Sequence, residues 1–185
     1  MTSMSSTPQE DYYMGTTNNS GKKLEAAVQE ALRLHQVQFK SHFFRLYDAT
    51  SSGGRGHTQA GDFVWLTRTE ALLIECKSTE TGKDLLQLVS SSKKNREQLP
   101  RHKVWNLSGH KSLYIYGNLL SQQTAIYWGL DVIAGAQNKH VIAPVVFGEF
   151  SNLPNQIKCV YAQLEGTHGT HGKKVILANQ ALGNQ

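Results

Sequence analysis

Asp62, Glu75 and Lys77 are the residues of this chain whose types and spacing can do chemistry. They bracket two apolar runs, Phe63–Leu66 and residues 71–74, separated by the polar residues 67–70. Each run is short and rich in β-formers, so each is predicted to be a strand and the pair a hairpin. If Arg68 and Thr69 form a two-residue turn, Thr67 pairs with Glu70 and Asp62 falls opposite Glu75. Side chains alternate across a strand, so Glu75 and Lys77 share a face, and Asp62 joins it across the ladder. Directly opposed residues hold their Cβ atoms only ~4.5–5.5 Å apart, and like charges placed so repel. A divalent cation between the carboxylates reverses that sign. Mg²⁺ is hard, takes oxygen ligands, and is commonly held by one or two carboxylates plus phosphate oxygens. Cys76 points to the other face and is expected to pack with Leu72 and Ile74 beneath a helix.

Asp62 followed by Glu75-Cys76-Lys77 resembles the active-site core of the PD-(D/E)xK nuclease superfamily. The chain departs from the pattern at Gly61, where the family usually carries Pro; that position is structural rather than chemical. The resemblance implies an α/β, restriction-endonuclease-like core, with a central mixed β-sheet flanked by helices. It further implies that Asp62, Glu75 and the backbone carbonyl of Cys76 hold Mg²⁺ or Mn²⁺. One or two ions are both compatible with it. Lys77 would orient the attacking water, help deprotonate it, or stabilise charge developing at phosphorus. The family typically places a Glu on its first helix beside the metal, and Glu25 matches; read alone, Glu25 complements the helix dipole or is solvated.

The order helix Glu, strand, Ser/Gly loop, Asp, Glu-x-Lys is similar to that of archaeal-type Holliday junction resolvases and RecU resolvases. In the archaeal-type group an active-site Ser lies in that loop, and Ser51 or Ser52 matches by position. The likeness covers roughly residues 21–103. It implies an Mg²⁺-dependent endodeoxyribonuclease, selective for branched DNA and serving recombination and repair. It also implies a homodimer, because two symmetric cuts need two sites related by a two-fold axis. A restriction-like or single-strand nuclease is the enzymatic alternative. A non-catalytic nucleic-acid-binding protein that keeps the fold, or an assembly protein with an acidic partner, are the alternatives outside catalysis. The intact Asp/Glu-x-Lys set argues against the non-catalytic binding protein.

The elements around the hairpin follow from periodicity. Residues 1–20, rich in Ser, Thr and Asn, are predicted to be a disordered arm, in which Tyr12 and Tyr13 have no evident docking site. A single domain is expected over 21–178, with 179–185 a tail. Asn19 or Ser20 can cap a helix whose stripe is Leu24, Ala27, Val28, Ala31 and Leu34. Residues 39–47 read as an edge or near-edge strand. Residues 48–60 form a Gly-rich loop in which Arg55, His57 and backbone N–H groups can approach a phosphate. Residues 78–83 read as a polar turn and 84–98 as one helix, stopped by Pro100. Lys83, Lys93, Lys94 and Gln98 would line a DNA-facing edge. Residues 113–116, 125–128, 141–147 (despite Pro144), 157–164 and 175–177 read as strands, and 130–136 is ambiguous. Tyr114, Tyr116, Tyr127 and Trp128 belong to the core or to a dimer interface, with the core favoured. His168 and His171 sit in a Gly-rich turn with no metal-binding partners nearby.

The net charge of +5 is local. Lys93, Lys94, Arg96, Arg101, Lys103 and Lys111 stand against Glu97 alone, while the rest of the chain carries thirteen charges of each sign. A concentrated basic stretch suits a phosphate backbone. No apolar run reaches the ~20 residues that span a bilayer. Residues 1–20 lack the features of a signal peptide, and Cys76 and Cys159 read as free thiols, so a reducing, cytoplasmic location is expected. No GxxxxGK[ST] motif appears, so no nucleotide cofactor is expected.

Overall fold

The computed structural model describes residues 19–46 and 60–166. Its elements run α1 (Asn19–Phe39), β1 (His42–Arg45), β2 (Phe63–Leu66), β3 (Ala71–Thr79), α2 (Leu85–Ser90), α3 (Lys93–Leu107), β4 (Lys111–Asn118), β5 (Gln123–Trp128), α4 (Gly129–Asn138), β6 (Val146–Glu149), a 3₁₀ turn (Phe150–Asn152) and α5 (Leu153–Gly166). The six strands form one sheet in sequence order. Only β3 and β4 are parallel, joined by the crossover that contains α2 and α3; every other neighbouring pair is antiparallel. This is an α/β fold with a mixed sheet flanked by helices on both faces.

One face packs on α1 and α5. Leu24, Val28, Ala31 and Leu32 of α1 and Ile157, Val160 and Leu164 of α5 meet Phe63, Trp65, Leu72, Ile74, Cys76, Leu113 and Ile115 in one cluster. Cys76 thus packs where alternation places it, and burial drives its thiol pKa well up. The other face carries α2, α3 and α4 over Tyr114, where Leu85, Val89 and Val132 are buried. Tyr114 is core, Tyr116 and Tyr127 pack against this second cluster, and Trp128 packs against the first.

Four sequence expectations change. Residues 84–98 are not one helix. Asp84 caps α2 in a reciprocal box with Gln87, and Ser92 opens α3 by accepting from the Asn95 N–H. Pro100 does not stop α3 but lies inside it. Interior proline costs about 3 kcal/mol. The far half of the helix is anchored by buried His102, by Trp105 Nε1 donating to the Lys111 carbonyl (2.9 Å) and by Asn106 Nδ2 donating to Ser112 Oγ (2.7 Å). Tertiary packing there outweighs propensity.

Residues 157–164 are helical in α5. Leu153, Ile157, Val160 and Leu164 are buried at intervals of four, three and four, the spacing of a helix stripe. Finally, 141–147 is not a buried strand: Val141 is 94 % exposed, and pairing starts only after Pro144, with Val145 N donating to the Ile126 carbonyl. Proline donates no ladder hydrogen bond, which confines this segment to the sheet edge. The ambiguous 130–136 lies in α4. The expected strand at 175–177, the His168/His171 turn, the tail and Tyr12 and Tyr13 lie outside the described residues.

Candidate active site

The hairpin has the expected register. Phe63 pairs with Ile74 and Leu66 with Ala71, and Thr67 N donates to the Glu70 carbonyl at 2.9 Å. The paired ladder ends at Phe63–Ile74, one residue short of Asp62 and Glu75. Asp62 N donates to the Ile74 carbonyl at 2.8 Å, and the Asp62 carbonyl accepts from Leu46 N at 2.8 Å, so β1 and β3 grip it from both sides. Asp62 Oδ2 in turn accepts the Cys76 N–H at 2.6 Å. The carboxylate therefore reaches across to the Glu75–Cys76 peptide.

Gly61 explains how Asp62 comes so close. A Cβ at Gly61 would lie 2.8 Å from the Ile74 carbonyl oxygen and 3.0 Å from Leu73 Cδ1. Backbone cannot yield there without parting β2 from β3. Gly61→Ala is expected to destabilise the protein by about 1–3 kcal/mol through overpacking. It is also expected to displace Asp62, so that cleavage falls more than the stability loss explains. Denaturant melts and steady-state rates on the same preparation check this.

Glu75 is 1 % exposed. Its Oε1 accepts from Lys77 Nζ at 2.5 Å, and its Oε2 is buried without a hydrogen-bond partner. Lys77 Nζ also donates to Gln98 Oε1 (2.9 Å) and Asn95 Oδ1 (3.2 Å). An ammonium has three N–H donors, and here all three are committed within the protein. Asn95 is itself fixed, since its Nδ2 donates to the Leu88 carbonyl and to Ser91 Oγ.

Burial raises both carboxyl pKa values, that of Asp62 to about 6 and that of Glu75 to about 8. For Asp62, the Cys76 N–H opposes the rise and the Glu25 charge adds to it. For Glu75, the Asp62 charge adds to the rise while Lys77 and, more weakly, Gln98 oppose it. Two neighbouring carboxyls, one of them fully buried, beside a single ammonium make a setting in which a further cation favours their ionised forms. The unpartnered Oε2 has a lone pair for it, and oxygen is the donor that Mg²⁺ takes. Asp62, Glu75 and the Cys76 peptide therefore fit a hard divalent ion. Among the described residues, no three His, Cys, Asp or Glu side chains already cluster closely enough to enclose a metal. Mg²⁺ usually keeps several waters rather than an all-protein cage, so two carboxylates suffice.

Glu25 stands apart from this pair. It belongs to α1, and Arg45 Nη2 donates to its Oε2 in an ion pair. Arg45 pairs with Phe63 and so shares the face covered by α1 and α5. Glu25 acts on Asp62 through its field rather than by contact.

Of the residues expected to meet DNA, Lys83, Lys93, Arg96 and Lys103 are exposed and Arg101 is half-buried. Gln98 is a correction: it is buried against Lys77 rather than turned to solvent. Ser51, Ser52, Arg55 and His57, and the side chain of Lys94, lie outside the described residues. The sequence reading did not find Asn95, which holds Lys77 from 18 positions away, nor Arg45, which holds Glu25 from 20. It also missed His102, which is fully buried against Tyr114. Burial lowers the His102 pKa to about 3 despite the nearby Ala60 backbone, so the ring is neutral.

The fold and site together define a mixed α/β sheet that presents a carboxylate–carboxylate–lysine set on one face. No family model and no curated protein matches the chain. Among solved structures it is similar to Archaeoglobus fulgidus Hjc, a Holliday junction resolvase from an archaeal hyperthermophile. The TM-score is 0.37 at 10 % identity, over 57 % of this chain and 77 % of that one. No helix among the described residues is long and apolar enough to cross a membrane.

Proposed function

We propose that this chain is a metal-dependent endonuclease that hydrolyses phosphodiester bonds in DNA, with branched DNA as its substrate. The observation that carries the proposal is the Asp62–Glu75 pair: Asp62 is half-buried with its Oδ2 on the Cys76 N–H, and Glu75 is buried with its Oε2 unpartnered and Lys77 Nζ held beside it. Asp62, Glu75 and the Cys76 carbonyl would hold Mg²⁺ or Mn²⁺, with Glu25 assisting once released from Arg45. When bound, the ion polarises the scissile phosphate and lowers the pKa of a water.

The chain's own residues do the rest. Asp62 and Glu75 fix the site against β3, and Lys77 orients the water or neutralises charge gathering on the phosphate oxygens. Exposed Lys93, Arg96 and Lys103 of α3 offer cations to the phosphate backbone. The preference for branched DNA rests on the element order that resembles junction resolvases, and the homodimer on the need for two symmetric cuts.

The test is a cleavage assay in Mg²⁺ and in Mn²⁺ on a mobile four-way junction, a linear duplex and a single strand, with Lys77→Ala as control. Paired symmetric nicks near the junction centre, absent in the control, are the expected result. Cutting of duplex or single strands alone discards the branched substrate and keeps the site. No cleavage of any substrate discards the enzyme.

A further inference from the structure

The sheet face that carries Asp62, Glu75 and Lys77 is only partly covered. Among the described residues, helices α2, α3 and α4 pack mainly over β3, β4 and β5 rather than over β1 and β2. Phe44 pairs with Val64 and Val64 with Leu73, two residues before Glu75, so these side chains share the site's face. Phe44 is 56 % exposed and Leu66 38 %, with Val64 half-buried between them. One exposed aromatic alone would signify nothing. Here an apolar strip runs up to the carboxylates, and Phe44 is the diagonal neighbour of Asp62, a separation of about 7–8 Å in such a ladder.

We propose that this strip binds nucleobases, with Phe44 stacking on a base that is unpaired beside the scissile phosphate. The inference rests on the nuclease reading and narrows its substrate to DNA with unpaired or splayed bases at the cut. Two chemistries meet at the site and select the occupant. The basic α3, whose Asn95 and Gln98 hold Lys77, calls for phosphates. The apolar strip calls for a flat apolar surface. An unstacked strand supplies both, and bases stack on aromatic side chains with little regard for sequence. An intact duplex keeps its base faces hidden and can satisfy only the basic part.

Phe44→Ala and Phe44→Trp in the full chain test this without divalent metal, so that binding is read apart from cleavage. Tryptophan emission of Phe44→Trp, corrected for the wild type, should be quenched by a thymidine single strand and by a four-way junction, and not by a blunt duplex of equal length. Phe44→Ala should weaken single-strand and junction binding about tenfold and duplex binding less than twofold. Equal quenching by duplex, or wild-type affinity of Phe44→Ala for single strands, overturns the inference. So does a Phe44→Ala protein that is monomeric where the wild type is dimeric, which assigns the strip to a second copy. The two readings fail separately. Quenching by single strands without any cleavage removes the nuclease alone, and Lys77-dependent cutting with an indifferent Phe44→Ala removes the base contact alone.

Discussion

Lys77→Ala is expected to lower kcat by about 10²–10⁴-fold and to leave DNA affinity within a fewfold of wild type. Affinity should persist because Lys77 is mostly buried, while the exposed cations of α3 are untouched. Removing one partner of a buried ion pair commonly costs 3–5 kcal/mol. Here the cost should be smaller, because Glu75, with its pKa raised to about 8, escapes by taking a proton. The ammonium's surroundings add a graded expectation. Its three N–H donors go to Glu75, Gln98 and Asn95, and the bond to Asn95 is the longest, 3.2 Å against 2.5 and 2.9 Å. The donor now aimed at Asn95 is therefore the one most easily given to a water or a phosphate oxygen. Asn95→Ala should cost less than tenfold in kcat, and Gln98→Ala should cost more, with KM little changed in either. If both variants are silent while Lys77→Ala is dead, the ammonium is positioned by Glu75 alone.

The parts of this site that neighbouring residues determine were legible in the sequence. Alternation and a two-residue turn are enough to set the hairpin that brings Asp62 to the Glu75–Cys76 peptide, because a period of two leaves only one register that buries Phe63, Trp65, Leu72 and Ile74 together. What was not legible depends on packing between distant segments. Asn95 reads as an ordinary polar residue after a serine run until Ser92 is seen to cap a new helix there. Gln98 reads as a surface residue beside lysines until Pro100 is seen to be tolerated inside α3, which turns Gln98 and His102 inward together. In α5, residues 157–164 are rich in β-branched and aromatic side chains, and a short window suits either period. Only the extension back to Leu153 shows the helical stripe. Arg45 could not be tied to Glu25 from spacing, because their contact depends on how α1 crosses the sheet.

Glu75→Gln should make the metal-free protein more stable near pH 8 while abolishing cleavage. The Glu75 pKa is raised to about 8 in the folded chain, against an ordinary value of 4.5, mainly by burial and then by the charge of Asp62. Between those values the folded state holds more protons than the unfolded one, so stability falls as pH rises. His102 has the opposite sign. With its pKa lowered to about 3 from 6.5, the folded state binds fewer protons below pH 6.5, and stability there rises with pH. Asp62, at about 6, has largely titrated by pH 7. From about pH 7 to 8 the slope is therefore set mainly by Glu75.

One proton of linkage is worth at most about 1.4 kcal/mol per pH unit, and Glu75 releases half of its proton by pH 8, so the wild type should lose about 1 kcal/mol across that window. Glu75→Gln should lose almost none, because an uncharged amide has nothing to release and still offers an oxygen to Lys77. Denaturant melts at three pH values measure both slopes. Adding Mg²⁺ or Mn²⁺ should flatten the wild-type slope and raise its melting temperature, since an ion that binds only the folded state stabilises it by mass action. The same addition should leave Glu75→Gln unchanged. An equal metal response in both proteins would place the ion away from Glu75 and remove the chemical basis of the proposed cleavage. A flat wild-type slope without metal would show instead that Glu75 is already ionised at neutral pH, its charge offset by Lys77.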